Sequence, residues 1–496
     1  MENFGKMKGD YGGMGMLKSI SLENYKCFDK LDNFEIAPLT VLCGVNSSGK
    51  SSILKSLLML KQSFESNYDK NSLLFNGDYT INGAYNDVVF EHKTSRKIKI
   101  TNQFVIENNR YIPAFEKAAL NDLANTFRID VNTIKQLTVS FTVELKNKTS
   151  SKYVHDNIIH LYRIDYDVVQ SDINLFKNSI TIISQNTGKY NIRLYSDLSK
   201  TEKTYESYSC FFQGLVLSKI VPGASVEQIN DNMLSLIYSL SKIVSYQYKG
   251  IKYIAPVRKE PNRIYEIFQD ENDVGLYGES TPQVLYSHKE DRSSCVNPPV
   301  NEILKTDRFK GRLIDCLNLW CNYLGIEQIN FPDKKDYTDA INLKIGSSNY
   351  ADVGFGVSQI LPVITMNLLM KWHETLILQQ PEIHLHPKMQ MDFSDFLLVS
   401  AYTGKNIIIE THSDHIINRI TRRVMEDPAG RFKKLVKIYY VEKTGTGSNI
   451  YRDIDIDPVD GIVNAPDGFF TQFGTELMHI TQRGMRNYKE GVSWRK

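Results

Sequence analysis

Eight residues near the start of the chain combine glycine, lysine and serine at a spacing suited to phosphate. Residues 44–51, GVNSSGKS, match G-x4-G-K-[ST] at every defined position. Glycine permits a tight loop whose backbone N–H groups surround phosphate oxygens at the start of a helix. Lys50 supplies a point charge to the β- and γ-phosphates, and the Ser51 hydroxyl can bind Mg²⁺. The motif therefore predicts binding of ATP or GTP together with Mg²⁺.

A second stretch raises the question of whether the nucleotide is cleaved. LILQQPEIHLHP, residues 376–387, is an aliphatic run that ends at Gln379 and Gln380, where nucleotide-cleaving enzymes place two carboxylates. A neutral amide cannot act as a general base, and the loss of such a base typically lowers a rate by about 10²–10⁴-fold. Glutamine can still orient an attacking water, as in slow GTPases. We therefore expect tight binding with slow or triggered hydrolysis.

The elements predicted around these residues are those of an α/β fold. LTVLCG (39–44) is predicted to be a buried strand that leads into the phosphate loop and then into a helix. ETLILQQ (374–380) and KNIIIE (405–410) are apolar runs typical of buried parallel strands. The stretches that follow them, HPKMQMDFSDFLLVSAY and SDHIINRITRRVMED, are predicted to form the flanking helices.

Three further stretches, taken in order after residues 44–51, resemble one family. They are VGFGVSQILPVI (353–364), LILQQPEIHLHP and IIIETHSDHIINRI (407–420). Their order and spacing resemble the ATP-binding-cassette heads of SMC-like and OLD-type ATPases of the AAA family, over residues 17–95 and 251–496. APVRKEPNRIY, VGLYGESTPQVL and GFFTQF resemble bacterial members that work in antiphage defence beside a nuclease, as in Septu-type systems.

The resemblance implies an ABC-type ATPase head, with a mixed sheet that carries the P-loop, parallel core strands and flanking helices. Strand-like segments separated by polar turns predict a β-rich insertion between the phosphate loop and the signature motif. The predicted parts are a disordered N-terminus (1–16), a first ATPase lobe (17–97), the insertion ending in a helix (98–250), a second ATPase lobe (251–440) and a C-terminal α/β extension (441–496).

The resemblance also assigns binding roles to individual residues. ATP and Mg²⁺ would be bound by Gly44, Asn46, Ser47, Gly49, Lys50, Ser51 and Ser52. The γ-phosphate on a second subunit would be met by the signature residues Gly354, Gly356, Ser358 and Gln359. The signature departs from the family's usual LSGGQ sequence. Alignment on Gln359 puts Gly356 at the position of the serine, so Ser358 or backbone amides would have to contact the phosphate in its place. A signature that acts on a second subunit implies a homodimer or higher oligomer that ATP assembles.

Catalytic roles are assigned in the same way. The family uses an acid at position 379 to bind Mg²⁺ and an acid at position 380 to position or deprotonate water, and both are glutamine here. His412 would be the switch histidine that touches the γ-phosphate. Glu410 and Glu382 are the nearby carboxylates that could substitute. We expect Glu410 to be the better candidate, because neighbouring parallel strand ends converge on one site.

Two clusters of candidate metal ligands have competing interpretations. Glu382, His384 and His386 could bind zinc, but packing and polar contacts near a subunit interface are favoured because no further ligand is evident. Asp453, Asp455 and Asp457 alternate as in a Toprim-type nuclease, with Glu442 as the upstream acid. An edge strand with a solvated acidic face is favoured there.

Composition narrows the class of protein. The 59 basic and 57 acidic residues leave a net charge of +2, so nothing indicates a dedicated nucleic-acid binder. Arg258, Arg263 and the RITRR cluster (419–423) are the best candidates for contact with a DNA backbone. The six cysteines lack metal-site spacing, which favours buried thiols in a reducing cytosol. Since neither a signal peptide nor an apolar run of about 20 residues is found, we expect a cytoplasmic protein with no membrane contact.

Two functions are consistent with these features. The first is an ATP-binding switch that clamps head dimers and controls a separate nuclease, an HNH enzyme being one candidate. The second is an ATP-hydrolysing motor or repair ATPase of the SMC or OLD type that acts on DNA. DNA-stimulated hydrolysis that falls with salt would favour the second, because salt screens phosphate contacts. A nuclease gene next door would favour the first.

Overall fold

The structure is a computed structural model that describes most of the 496-residue chain. The described residues are 16–67, 71–108, 113–148, 157–170, 176–185, 187–224, 226–267, 272–301, 303–304, 306–332, 340–372, 374–443, 448–466, 469, 478–483 and 485–486. Of the predicted disordered segment 1–16, residues 1–15 lie outside this set. GFFTQF (468–473) also lies outside it, apart from Phe469.

The chain forms a strand-rich part and a second part in which strands and helices are mixed. The strands are β1 (Met16–Tyr25), β2 (Phe28–Glu35), β3 (Leu39–Gly44), β4 (Ile98–Glu107), β5 (Ile134–Asn147), β6 (Asn157–Gln170), β7 (Phe176–Ser184), β8 (Tyr190–Ser196), β9 (Thr201–Gln213), β10 (Val216–Val221), β11 (Ile251–Ile254), β12 (Tyr265–Glu266), β13 (Arg292–Val296), β14 (Arg308–Arg312), β15 (Ile329–Asn330), β16 (Ala340–Ile341), β17 (Lys344–Ile345), β18 (Ser348–Asn349), β19 (Thr375–Gln379), β20 (Asn406–Glu410), β21 (Val436–Glu442), β22 (Ile450–Ile454), β23 (Ile456–Asp457) and β24 (Gly461–Ile462). The helices are α1 (Lys50–Glu65), α2 (Tyr85–Val88), α3 (Ala114–Phe127), α4 (Asp231–Lys249), α5 (Thr281–His288), α6 (Leu313–Tyr323), α7 (Phe355–Leu369), α8 (Pro387–Tyr402) and α9 (Asp414–Met425).

A six-stranded sheet carries the predicted motifs at the carboxyl ends of its parallel strands. Its strand order is β11-β19-β20-β3-β21-β22. The first five strands are parallel, and β22 pairs antiparallel with β21. The strands predicted at 39–44, 374–380 and 405–410 are confirmed as β3, β19 and β20. Their carboxyl ends meet at one edge, which is where open α/β sheets bind ligands.

Both faces of this sheet are buried, which explains the continuous apolar runs of its strands. Ile377 and Ile408 face a core shared with α1, α3, α4 and the strand-rich part. Their neighbours Leu378 and Ile409 face a second core shared with α5 to α9. The predicted α/β class, with parallel core strands and flanking helices, is confirmed. No described helix combines the length and apolar character needed to span a membrane.

The strand-rich part forms a nine-stranded antiparallel sheet with the order β10-β9-β8-β7-β6-β5-β4-β1-β2. β4 pairs with β1, so the predicted boundary between residues 97 and 98 falls within one sheet. The domain boundaries stay predictions. The alternating apolar and polar residues of LKSISLENYKCF (17–28) predict a strand, which β1 confirms as far as Tyr25. The chain then reverses into β2, which begins at Phe28, with Asn24 and Lys26 in left-handed conformations near the turn.

Candidate functional site

The phosphate loop begins where β3 ends. Gly44 has a φ of 132°, and a Cβ atom there would lie 2.2 Å from the carbonyl oxygen of Val441 in β21. Only glycine meets both requirements, since it lacks a Cβ and tolerates positive φ. The loop ends at Gly49, which precedes α1. Asn46 and Ser47 between them are exposed, so the outer side of the loop is open to solvent.

The loop presents donors suited to a polyphosphate. In the described part of the chain, the amides of residues 46–48 have no hydrogen-bond acceptor. They lie before the positive end of α1, which favours an anion. Lys50 Nζ donates to the carbonyl oxygens of Gly44 at 3.0 Å and Val45 at 2.7 Å, which holds the ammonium against the loop. Burial lowers the pKa of Lys50, and the nearby Glu410 carboxylate opposes that effect.

Residues far away in the sequence support the loop from behind. Asn449 Nδ2 donates to the Ser48 carbonyl at 2.6 Å, and the Asn449 N–H donates to the Cys27 carbonyl at 3.0 Å. Burial raises the pKa of the Cys27 thiol, and the nearby Ser52 side chain in α1 opposes that effect. Sequence reasoning missed Asn449 because no local motif marks a residue that reaches the loop from the β21–β22 connection.

Glu410 is the carboxylate that faces the phosphate loop. It ends β20, next to β3, and is 5% exposed. Its Oε1 accepts a 2.8 Å hydrogen bond from the Ser51 hydroxyl, and its Oε2 accepts one of 3.0 Å from Gln379 Nε2. Hydroxyl and carboxylate oxygens are ligands that Mg²⁺ prefers. Ser51 and Glu410 therefore fit a Mg²⁺ ion, whereas the Gln379 amide points its nitrogen toward the carboxylate.

Tyr253 in β11 completes this arrangement. Its hydroxyl donates to Gln379 Oε1 at 2.6 Å. Burial, together with the Glu410 charge, raises the pKa of Tyr253 to about 12, so the hydroxyl stays protonated near neutral pH. Sequence reasoning missed Tyr253. The available signal was its position near the carboxyl end of a strand parallel to β19.

Gln380 leaves β19 in a left-handed conformation, with a φ of 46°. Its N–H donates to the Glu410 carbonyl at 2.7 Å, which anchors it at the strand edge. Such conformations cost about 1–3 kcal/mol and concentrate at functional sites. Among the described residues the Gln380 side-chain amide has no hydrogen-bond partner, so it is available to a water or a phosphate oxygen.

His412 lies two residues beyond Glu410, with its imidazole exposed. Its backbone N–H donates to Glu382 Oε1 at 2.7 Å. Partial burial and the Lys50 charge lower the pKa of His412, and Glu410 partly offsets this. The ring is therefore neutral at physiological pH, with one donor and one acceptor nitrogen. The effect of the Lys50 charge on the His412 pKa shows that the two side chains are close enough to interact electrostatically.

The suggested zinc ligands have separate partners. Glu382 is directed at the backbone of His412, and burial raises its pKa. His386 Nδ1 accepts from the Lys388 N–H at 3.3 Å and caps α8. Across the described residues, no group of three or more His, Cys, Asp and Glu side chains is arranged to hold a metal ion.

The signature residues lie at the start of α7. Gly354 is exposed and caps the helix, and a Cβ on Gly356 would lie 3.0 Å from the carbonyl oxygen of His384. Ser358 donates to the Phe355 carbonyl at 2.8 Å. Ser358 and Gln359 are 2% and 1% exposed, so in this monomer their side chains face inward. The accessible part of the signature is 354–356, and the roles of Ser358 and Gln359 stay predictions.

The structure brings together one group of predicted residues and separates another. Hydrogen bonds join Ser51, Gln379, Gln380 and Glu410, and His412 follows Glu410 by two residues in the chain. In the described structure, residues 354–359 make no hydrogen bond to residues 44–52 of the same chain. Phe355 at the signature is 42% exposed and contacts the His384 ring edge-on, with centroids 4.9 Å apart.

Most of the arginines considered for DNA contact have structural partners. The expectation for Arg258 is wrong: it is 2% exposed, so its guanidinium cannot reach a DNA phosphate. Its backbone N–H lies 3.4 Å from Gln359 Oε1, and its Nη1 donates to the Pro256 carbonyl at 3.0 Å. The remaining candidates form ion pairs: Arg419 and Arg423 with Asp395, Arg422 with Glu426, and Arg263 with Asp352.

The acidic run after β21 is confirmed as an edge strand, β22, followed by the short β23. Asp453 pairs with Lys437, and Asp455 pairs with Lys433. Asp457 accepts from the backbone N–H groups of Val459 and Asp460. The three carboxylates have separate partners and do not converge.

Several solved structures share a low overall similarity with this chain. One is the SmcHead bound to the C-winged helix domain of ScpA, with 10% identity, a TM-score of 0.36, and coverage of 89% of this chain and 98% of that chain. The SMC head domain from Thermotoga maritima has 9% identity and a TM-score of 0.33, over 89% and 100% of the two chains. An Smc head domain with an extended coiled coil, bound to the C-terminal domain of ScpA derived from Pyrococcus furiosus, has 9% identity and a TM-score of 0.37, over 89% and 97%.

Comparison with curated protein sequences gives no significant match. The family comparison is more informative, because it covers the phosphate loop, the signature and the strand ends at Gln379 and Glu410. The sequence profile of the AAA ATPase domain matches residues 16–417. This chain therefore belongs to the AAA ATPase domain family.

Proposed function

We propose that this chain is an ATP-binding switch subunit of a bacterial antiphage defence system, in which ATP clamps two heads together and controls a separate nuclease. Membership of the AAA ATPase domain family implies nucleotide binding, typically with Mg²⁺. The observation that carries the proposal is the contact of Glu410 with Ser51 beside two glutamines. This arrangement supplies oxygen ligands for Mg²⁺ and leaves no carboxylate at position 380.

The residues of the site favour holding ATP over cleaving it. The amides of residues 46–48 and Lys50 bind the β- and γ-phosphates, and bound Mg²⁺ neutralises phosphate charge. Gln380 can orient a water but cannot accept its proton. The hydrogen bonds from Ser51 and Gln379 hold the Glu410 carboxylate beside the Ser51 hydroxyl, where it would bind Mg²⁺ rather than accept a proton from water. Slow or triggered hydrolysis follows.

The proposed dimer is inferred from the position of the signature residues. The accessible residues 354–356 lie at the N-terminus of the 15-residue helix α7, whose positive end favours an anion. The signature makes no hydrogen bond to the phosphate loop of its own described chain. In a head dimer, the α7 N-terminus of one subunit would meet the γ-phosphate bound by the other, so ATP would bridge the subunits.

The partner is proposed from the resemblance to Septu-type ATPase subunits. If ATP-bound heads hold a nuclease inactive, the nuclease stays inactive only while ATP is not hydrolysed. Glutamine at positions 379 and 380 would slow that hydrolysis. Purification of the tagged chain from its native host, followed by identification of bound proteins, tests this part. Recovery of a nuclease that leaves the complex when ATP is removed is expected. Recovery of the chain alone would count against it.

The fate of ATP tests the switch itself. Purified protein is incubated with Mg-ATP, the assembly is isolated by gel filtration, and the retained nucleotide is identified over several hours. Intact ATP in a dimer or larger assembly is expected. Lys50→Ala is the control that should retain no nucleotide. Prompt conversion to ADP, stimulated by DNA, would instead favour the motor.

A further inference from the structure

Four side chains form a continuous line of hydrogen bonds across three strands and the first helix. The Tyr253 hydroxyl donates to Gln379 Oε1 at 2.6 Å, and Gln379 Nε2 donates to Glu410 Oε2 at 3.0 Å. The Ser51 hydroxyl donates to Glu410 Oε1 at 2.8 Å. The line therefore runs from β11 through β19 and β20 to the helix that follows the phosphate loop.

The chemistry of these groups permits only one orientation of the Gln379 amide. An ionised carboxylate only accepts hydrogen bonds, so the amide nitrogen must face Glu410. The amide oxygen then faces Tyr253, which must be the donor. Flipping the amide would place its oxygen against the Glu410 carboxylate, with two acceptors opposed. The Glu410 carboxylate therefore determines which end of Gln379 faces it, and the Tyr253 hydroxyl stabilises that orientation by donating to the amide oxygen.

We propose that Tyr253 and Gln379 are positioning residues that direct Glu410 toward Ser51, and that position 410 supplies the metal-side carboxylate of this site in place of position 379. The inference rests on the proposed nucleotide binding. It gives a physical reason for the glutamine: position 379 needs a group that accepts from Tyr253 and donates to Glu410, and a carboxylate cannot donate.

An acid at position 379 would oppose Glu410 directly. Two carboxylates that share a site cannot both ionise easily, so the pKa of one is raised above its value in the unfolded chain. The native state of Gln379→Glu would then bind more protons than the unfolded state above about pH 4. Its stability relative to the native sequence would fall as the pH rises through that window.

Thermal unfolding of the nucleotide-free full-length protein tests this clash. The unfolding midpoint of Gln379→Glu is expected to lie below that of the native sequence at about pH 7 and to approach it at about pH 4. Gln213→Glu adds the same charge at an exposed position in β9 and is the matched control. Equal pH dependence for both variants would overturn the proposal, because it would mean that residue 379 does not oppose Glu410.

Positioning is tested by the Mg²⁺ dependence of ATP binding. Gln379→Met removes both hydrogen bonds without adding charge, and Tyr253→Phe removes only the hydroxyl. Because hydrogen bonds to charged groups are stronger than neutral ones, Gln379→Met is expected to raise the Mg²⁺ concentration for half-maximal binding about tenfold. Tyr253→Phe is expected to raise it by a smaller factor. Binding of ATP in EDTA should not change.

Tyr195→Phe, at a partly exposed tyrosine in β8, is the control for loss of a hydroxyl. An unchanged Mg²⁺ requirement in both Gln379→Met and Tyr253→Phe would overturn the positioning role. Failure of the native protein to bind ATP would instead contradict the proposed function. The pH dependence of Gln379→Glu would still decide whether residues 379 and 410 are in contact.

Discussion

The Ser51 hydroxyl donates a 2.8 Å hydrogen bond to Glu410, which lies 359 residues away in the sequence. This contact joins the helix that follows the phosphate loop to a strand from the C-terminal half of the chain. The long strand-rich segment between them does not interrupt the site, because β20 lies directly beside β3 in the central sheet. The proposed nucleotide site therefore combines residues from two distant parts of the sequence.

Glu410→Gln is expected to weaken Mg²⁺-dependent ATP binding. The amide keeps the size of the side chain but removes a charge-assisted acceptor for Ser51 and an oxygen ligand for Mg²⁺, so a loss of about tenfold or more is expected. Isothermal titration with ATP, with and without Mg²⁺, measures it. Glu442→Gln, which alters an ion pair with Arg452 at the sheet edge, is the control. Identical Mg²⁺ dependence in both variants would contradict the role of Glu410.

Gln380→Glu is expected to accelerate hydrolysis. The substitution places a carboxylate where a water could be deprotonated, and a general base typically contributes about 10²–10⁴-fold. Single-turnover release of phosphate from the ATP-bound protein measures the rate. Gln213→Glu should leave it unchanged. A Gln380→Glu protein that binds ATP but cleaves it no faster would show that some other step limits hydrolysis.

Asp395→Asn is expected to destabilise the fold strongly. Asp395 is fully buried, with ion pairs to Arg423 at 2.7 Å and to Arg419 at 2.8 Å, and Arg423 is itself 1% exposed. Without the Asp395 charge, the buried Arg423 guanidinium keeps the partly exposed Glu426 as an ion-pair partner but loses its buried one, and breaking a buried ion pair costs about 3–5 kcal/mol. Urea unfolding measures the loss. Arg422→Ala on the exposed face of α9, the helix that carries Arg419 and Arg423, should change stability by less than about 0.5 kcal/mol. Comparable losses would mean that Asp395 is not a structural anchor.

Lys405→Met is expected to change the alkaline pH dependence of stability. Burial lowers the pKa of Lys405 from its usual 10.5 to about 8, while its ammonium donates to the Asn367 carbonyl. Between these values the unfolded chain binds more protons than the native protein, so the free energy of unfolding rises with pH. The rise is on the order of 3 kcal/mol. Unfolding in urea between about pH 7.5 and 10 measures it, and Lys405→Met should show a smaller rise.

Much of the site was readable from local sequence, because each motif depends on residues close together in the chain. The spacing of residues 44–51 predicted a loop between strand and helix, and β3 and α1 occur at those positions. The apolar runs that end at Gln379 and Glu410 predicted parallel strands with converging ends, and the two side chains are hydrogen-bonded to each other. The catalytic role expected for Glu410 stays a prediction. The positions of the strands and helices follow from periodicity and from the phosphate-loop motif, whereas the roles of the residues at the strand ends came from the resemblance to ABC-type ATPase heads.

The tertiary structure decided the contacts that cross between distant segments. From the sequence, Arg258 is expected to be a basic side chain on the surface. In the structure it is buried by the packing of α7 and the β19–α8 loop. Tyr253 carries no motif, and only the strand order β11-β19-β20 puts its hydroxyl against Gln379. The inward side chains of Ser358 and Gln359 likewise depend on how α7 packs. Local sequence determines which groups stand at a strand end, whereas the order of the strands determines which of those groups meet.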